Sequence, residues 1–80
     1  MSPRKRIRFS THAHEERMPE RNISAADVLA TIERPEFEFP GNRPGTLESY
    51  GTTADGRQFY VVTAQNRTFV ITVVVLEELQ

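Results

Sequence analysis

The chain has 80 residues, no cysteine and a formal net charge of −1. That length allows one small domain, residues 1–80, and excludes a second, close to the size at which a single core suffices without disulfides or metals. The missing thiols exclude a disulfide framework, a cysteine nucleophile and a thiolate zinc site, and the charge balance carries no global basic signature.

The charge is nevertheless unevenly placed. Arg4, Lys5, Arg6 and Arg8 make a basic start, with residues 1–6 expected as a flexible arm, while Glu77 and Glu78 lie at the other end. No apolar stretch of the kind found in a secretory leader follows the basic run. The longest apolar run, 69–76, is too short to span a bilayer as a helix and is rich in β-branched residues. The expectation is a soluble cytoplasmic protein without a membrane partner. Two histidines and no clustered carboxylates leave neither a metal nor a cofactor expected.

In chain order, residues 7–9 suit a short strand, after which Ser10 or Thr11 offers a hydroxyl to cap a helix over 11–18. Pro19 disfavours the α conformation at Met18, so that helix ends or kinks there, and residues 20–22 turn the chain. A second helix begins at Ser24, whose partner three residues on, Asp27, makes a capping-box variant. Val28, Leu29 and Ile32 supply its apolar face, Ile23 staples its start, and Pro35 stops it after Arg34.

The alternation Glu36-Phe37-Glu38-Phe39 predicts an edge strand that runs into the turn-rich segment 40–45. Strands follow over 47–52 and 58–64, joined through Asp55-Gly56, and over 68–76 after the turn at 65–67. In the last strand Phe69, Ile71, Val73 and Val75 fall on one side and Val70, Thr72, Val74 and Leu76 on the other, so both faces are apolar. Helices can cover one face, which leaves the other to hold a pocket, the arm or a partner, the favoured occupant being a second copy or another protein. The predicted architecture is α+β: two N-terminal helices packed on one face of a three- to four-stranded antiparallel sheet. Helices precede strands without βαβ alternation and no Gly-rich phosphate loop is present, which excludes Rossmann and P-loop folds.

Both histidines lie beside Arg17 and Arg21. On an ideal helix His14, Arg17, Met18 and Arg21 share a face, whereas His12 stands about 140° from Arg17. A histidine exchanges protons near neutrality and an arginine binds phosphate oxygens through a fork of donors. Together they suit metal-free RNA cleavage, in which one group takes the 2′-hydroxyl proton, another protonates the leaving oxygen and cations stabilise the charge on phosphorus. Tyr50, Tyr60, Phe59 or Phe69 would stack on an unpaired base if any lies on the open face. The plainer alternative pairs the arginines with Glu15, Glu16, Glu20 or Glu33, and places the aromatic rings in the core.

The order Phe9-Ser10-x-His12-Ala13, then Arg17-Met18-x-x-Arg21-x-Ile23-Ser24, then Asp27-Val28 and Ile32-x-x-Pro35 resembles the DUF4258 family of small bacterial domains. The likeness spans roughly the first half of the chain, and the β-rich second half agrees in general character. Such domains look related to the RelE-like and BrnT-like toxins among the barnase-like and colicin-like ribonucleases. The resemblance implies a RelE/barnase-like ribonuclease fold and makes a toxin-like endoribonuclease the leading enzymatic expectation. It carries over His12, Arg17 and Arg21 as catalytic residues, and helical geometry adds His14. In the family pattern the histidine of the His-Ala pair precedes the Arg-Met pair by four residues, whereas His12 precedes Arg17 by five. Either the extra residue is absorbed as a π-bulge or an irregular first turn, or His14 has taken over the position. Pro19 is a second departure, since a helix former is more usual there.

Three functions compete. The first is the metal-free endoribonuclease, with an RNA substrate and an antitoxin as protein partner. The second is a non-catalytic interaction module that homodimerises, or binds another protein, through the apolar sheet face. The third is a nucleic-acid binder that uses the basic arm and has no activity.

Overall fold

The computed structural model describes residues 7–76, with the side chains of residues 17, 20 and 21 outside the description. The basic arm and Glu77 and Glu78 therefore lie outside the described residues. In chain order the elements are β1 (Arg8–Phe9), a π-helical segment (His12–Arg17), α1 (Met18–Arg21), α2 (Ala25–Glu33), β2 (Phe37–Pro40), β3 (Thr46–Thr52), β4 (Gln58–Ala64) and β5 (Phe69–Val75). The strands form one sheet in the order β1-β5-β4-β3-β2. Among the described residues no helix is long and apolar enough to cross a membrane.

This architecture corrects the expected pair of N-terminal helices on a three- to four-stranded antiparallel sheet. The sheet has five strands and is mixed, because β1 runs parallel to β5 in the register Arg8↔Phe69 and Phe9↔Val70. Arg8 N–H donates to the Thr68 carbonyl and Ser10 N–H to that of Val70, both at 2.8 Å. This is the short strand expected over residues 7–9, and it pairs along the outer edge of β5. The first helix is also not a regular one. Residues 12–17 wind as a π-helix, Met18 N–H donating to the Ala13 carbonyl five residues back, and α1 adds only four residues. The nine-residue α2 is the one longer α-helix among the described residues.

The π winding has a packing cause. Ala13 and Met18 are both buried, yet positions five apart stand about 140° apart on an α-helix. Winding with i→i+5 hydrogen bonds brings both to the core side. Ser10 starts the segment: its hydroxyl accepts from Ala13 N–H at 3.0 Å, its carbonyl accepts from His14 N–H at 3.0 Å, and the same hydroxyl donates to the Ile71 carbonyl at 2.7 Å. After α1 the chain turns through Asn22 at φ 56°, with Ile23 N–H donating to the Met18 carbonyl and Asn22 N–H to that of Pro19. These two bonds and the burial of both Met18 and Ile23 make a Schellman end. Ser24 then caps α2, its hydroxyl accepting from Asp27 N–H at 3.1 Å.

The helical elements cover one face of the sheet. Val28 and Ile32 of α2 meet Phe59 and Val61 of β4 and Val70, Val73 and Val75 of β5, together with Ala13, Met18 and Ile23. Each such side chain removed from water contributes roughly 1.5–3 kcal/mol. Gly51 lets α2 approach β3 closely, since a Cβ there would lie 2.2 Å from Thr31 Oγ1. Strict alternation fails in β5. The pairs Val62↔Thr72 and Thr63↔Val70 leave Ile71 as the extra residue of a bulge, and Val70 and Val73 are both fully buried. The bulge changes the phase expected from sequence, which put Val70 opposite Val73.

Candidate functional site: an open cleft on the uncovered sheet face

Among the described residues no helical element covers the other face of the sheet, and its cross-strand pairs place Phe37 beside Tyr50, Phe39 beside Glu48, Glu48 beside Val62 and Tyr50 beside Tyr60. A cleft of about 400 Å³ opens on this face. Its floor is Glu48, Tyr60, Val62, Ile71, Thr72 and Val74, and its rim is His12 on one side with Asn42, Arg43 and Thr46 of the β2–β3 loop on the other. Local bonds place each rim. Ser10 holds the start of the π segment against the β5 bulge, which sets His12 over the sheet edge. In the loop, Thr46 Oγ1 donates to the Arg43 carbonyl at 2.6 Å, Gly41 N–H donates to the Thr46 carbonyl, and Gly45 adopts φ 80°.

His12 is half-exposed, and its Nδ1 lies 2.7 Å from Glu16 Oε2, one turn along the segment. A carboxylate at one ring nitrogen fixes the orientation of the ring. Glu48 accepts from Tyr50 OH at 3.1 Å. Burial first, then the hydrogen bond to Glu48 and the carboxylate's charge, push the Tyr50 phenol above its usual 10.0. Tyr60 is raised in the same way, by burial and then by the charge of Glu48. Both phenols therefore remain neutral donors at physiological pH. The cleft thus combines an imidazole, a carboxylate, a phenol and a guanidinium, the residue types that acid–base chemistry on a phosphate ester uses. Among the described residues no three His, Asp or Glu side chains converge as a metal site.

Of the two histidines expected from sequence, His12 lines the cleft. His14 is exposed and stands edge-on to Phe9, with ring centroids 6.2 Å apart. Arg17 closes the π segment and Arg21 closes α1, and the side chains of both lie outside the description. Among the aromatic candidates, Tyr50 and Tyr60 are on the open face with centroids 4.9 Å apart. Phe59 is fully buried in the core, and the Arg8 guanidinium lies over Phe69 at 5.9 Å. Arg43, Glu48 and the Glu16 contact to His12 are not evident from local patterns. Glu48 sits at an open-face position of β3 between Leu47 and Ser49, and a lone carboxylate in mid-strand was its only signal.

No curated protein and no solved structure gives a significant match to the chain. The family model of the domain of unknown function DUF4258 matches residues 9–75, from the first strand through the last, and the chain belongs to that family.

Proposed function

We propose that the open-face cleft is the active site of a toxin-like, metal-free endoribonuclease. The observation that carries this reading is the meeting of His12, Glu48, Tyr60 and Arg43 around one open cleft. In the proposed reaction Glu48 accepts the proton of a ribose 2′-hydroxyl. The freed oxygen attacks the adjacent phosphorus, a 2′,3′-cyclic phosphate forms, and the P–O5′ bond breaks. His12, held at Nδ1 by Glu16, gives its proton to the departing 5′-oxygen from Nε2. Arg43 and the Tyr60 phenol donate to the non-bridging oxygens as charge builds there. Arg17 and Arg21, carried over from the family likeness, are proposed as further cations for the phosphate.

The test is cleavage of a single-stranded RNA by purified protein in the presence of a chelator, with cyclic-phosphate ends as product. His12→Ala and Glu48→Gln are each expected to lower kcat about 10²- to 10⁴-fold, and His14→Ala to stay within a few-fold of wild type. Induced expression is expected to arrest growth, with His12→Ala relieving the arrest. Absence of cleavage, or a His12→Ala protein as active as wild type, would refute the proposal. A second reading, a non-catalytic module that pairs through the same face, is favoured by the exposure of Phe37 (63%) and Phe39 (51%). It requires a dimer in sedimentation at micromolar concentration.

A further inference from the structure

We infer that Phe39, with Phe37 beside it, forms a stacking platform for an unpaired nucleobase next to the scissile phosphate, so that the substrate is single-stranded RNA. This rests on the cleft being the site of RNA cleavage. The rings of Phe39, Tyr50 and Tyr60 make a continuous row across β2, β3 and β4: Phe39 meets Tyr50 edge-on at 5.6 Å and Tyr50 lies against Tyr60 at 4.9 Å. Tyr60 belongs to both features, since it also lines the cleft with His12 and Arg43. From Tyr60 in the cleft the row extends over two strand spacings, roughly 10 Å, to Phe39 on β2, the strand that leads into the loop carrying Arg43.

The row has the properties a base needs. Its outer member Phe39 is 51% exposed and Phe37 on the same strand 63%, on a sheet face that no helix among the described residues covers. Flat rings spread over a sheet stack unpaired bases, whereas bases in a duplex are already stacked and out of reach. An added protein strand is the less suitable occupant. Pro40 on the edge strand has no N–H to give it.

The experiment scans one abasic nucleotide along a single-stranded RNA and measures kcat/KM for wild type, Phe39→Ala and Phe39→Trp. Wild type is expected to lose about five- to a hundredfold at one position beside the cleavage point, the range a single base–aromatic stack supplies. In Phe39→Ala that sensitivity disappears, and in Phe39→Trp it returns. Equal sensitivity in Phe39→Ala and wild type would overturn the platform while leaving the cleft's chemistry intact. A loss of dimer on Phe39→Ala in sedimentation would overturn it too, by making the row an interface between copies. If wild type cleaves nothing, fluorescence anisotropy with the same oligonucleotides separates the two ideas. Base-dependent binding that Phe39→Ala removes keeps the platform and discards the cleavage; binding indifferent to Phe39 discards both.

Discussion

At Asn22 the backbone is left-handed, φ 56°, and the two hydrogen bonds of the Schellman end depend on that conformation. Its carbonyl also accepts from Arg57 Nη2 at 2.8 Å, tying the turn to the β3–β4 hairpin. Asparagine tolerates this region, glycine occupies it without penalty and β-branched residues do not. Asn22→Val is therefore expected to destabilise by about 1–2 kcal/mol, and Asn22→Gly to stay at or slightly above wild type, as read from urea midpoints. The opposite order would mean that the side chain, and not the backbone angle, holds the turn. Another residue-scale effect lies beneath the sheet, where Ser49 Oγ and Thr63 Oγ1 are buried without a hydrogen-bond partner among the described residues. Replacing an orphan hydroxyl by a methyl of the same shape removes a desolvation cost, so Thr63→Val is expected to stabilise by up to about 1–2 kcal/mol. A measured loss would show that the hydroxyl is satisfied in solution. Local chemistry of this kind is legible in sequence at Ser24, whose spacing to Asp27 foretold the cap. At Asn22 the sequence foretold only a turn, because the long-range partner Arg57 is 35 residues away.

At the scale of elements, the winding of residues 12–17 joins sequence to site. The spacing of five between His12 and Arg17 is spanned by the π-helix. Sequence alone did not decide that winding, since it follows from the burial of both Ala13 and Met18. Deleting the exposed Glu15 reduces that spacing to four, which an ordinary α-helix keeps on one face. The deletion is expected to keep the fold and leave the melting temperature equal or higher; a marked fall would show that the π winding is needed for more than packing. Strands β2 to β5 were legible for the ordinary reason that alternation and turn residues bracket them. The bulge at Ile71 was not, because it depends on register with β4 and on the bond from Ser10. Helix α2 was legible from its caps, but its closeness to the sheet was not, since that rests on Gly51 facing Thr31. Gly51→Ala is expected to destabilise by about 1–3 kcal/mol through overpacking, with part of the loss recovered when Thr31→Ala is added. Additive losses would place the conflict elsewhere.

Over the whole molecule, the sheet separates structure from proposed chemistry: the covered face carries the core, and the open face carries Glu48, Tyr50, Tyr60 and the cleft. Alternation predicted that two faces exist, and the pairing of strands distant in sequence decided which polar groups meet on the open one. That meeting has a consequence for stability at high pH. Tyr50 and Tyr60 are both raised above 10.0, by burial first and then by Glu48. When the unfolded chain begins to lose its phenolic protons near pH 10.0, the folded chain still holds them. Their contribution is thus complete below that pH and is lost as pH rises from it through the folded-state values. Chemical denaturation at a series of alkaline pH values is expected to show the midpoint falling from about pH 10 upward. In Glu48→Gln the fall is expected to be shallower, because the carboxylate's charge no longer opposes ionisation while burial still does. In Tyr60→Phe it is also shallower, through loss of one titrating group. An alkaline limb identical in all three proteins would show that Glu48 and the two phenols do not share a common field, and would remove the electrostatic link between the cleft and the aromatic row.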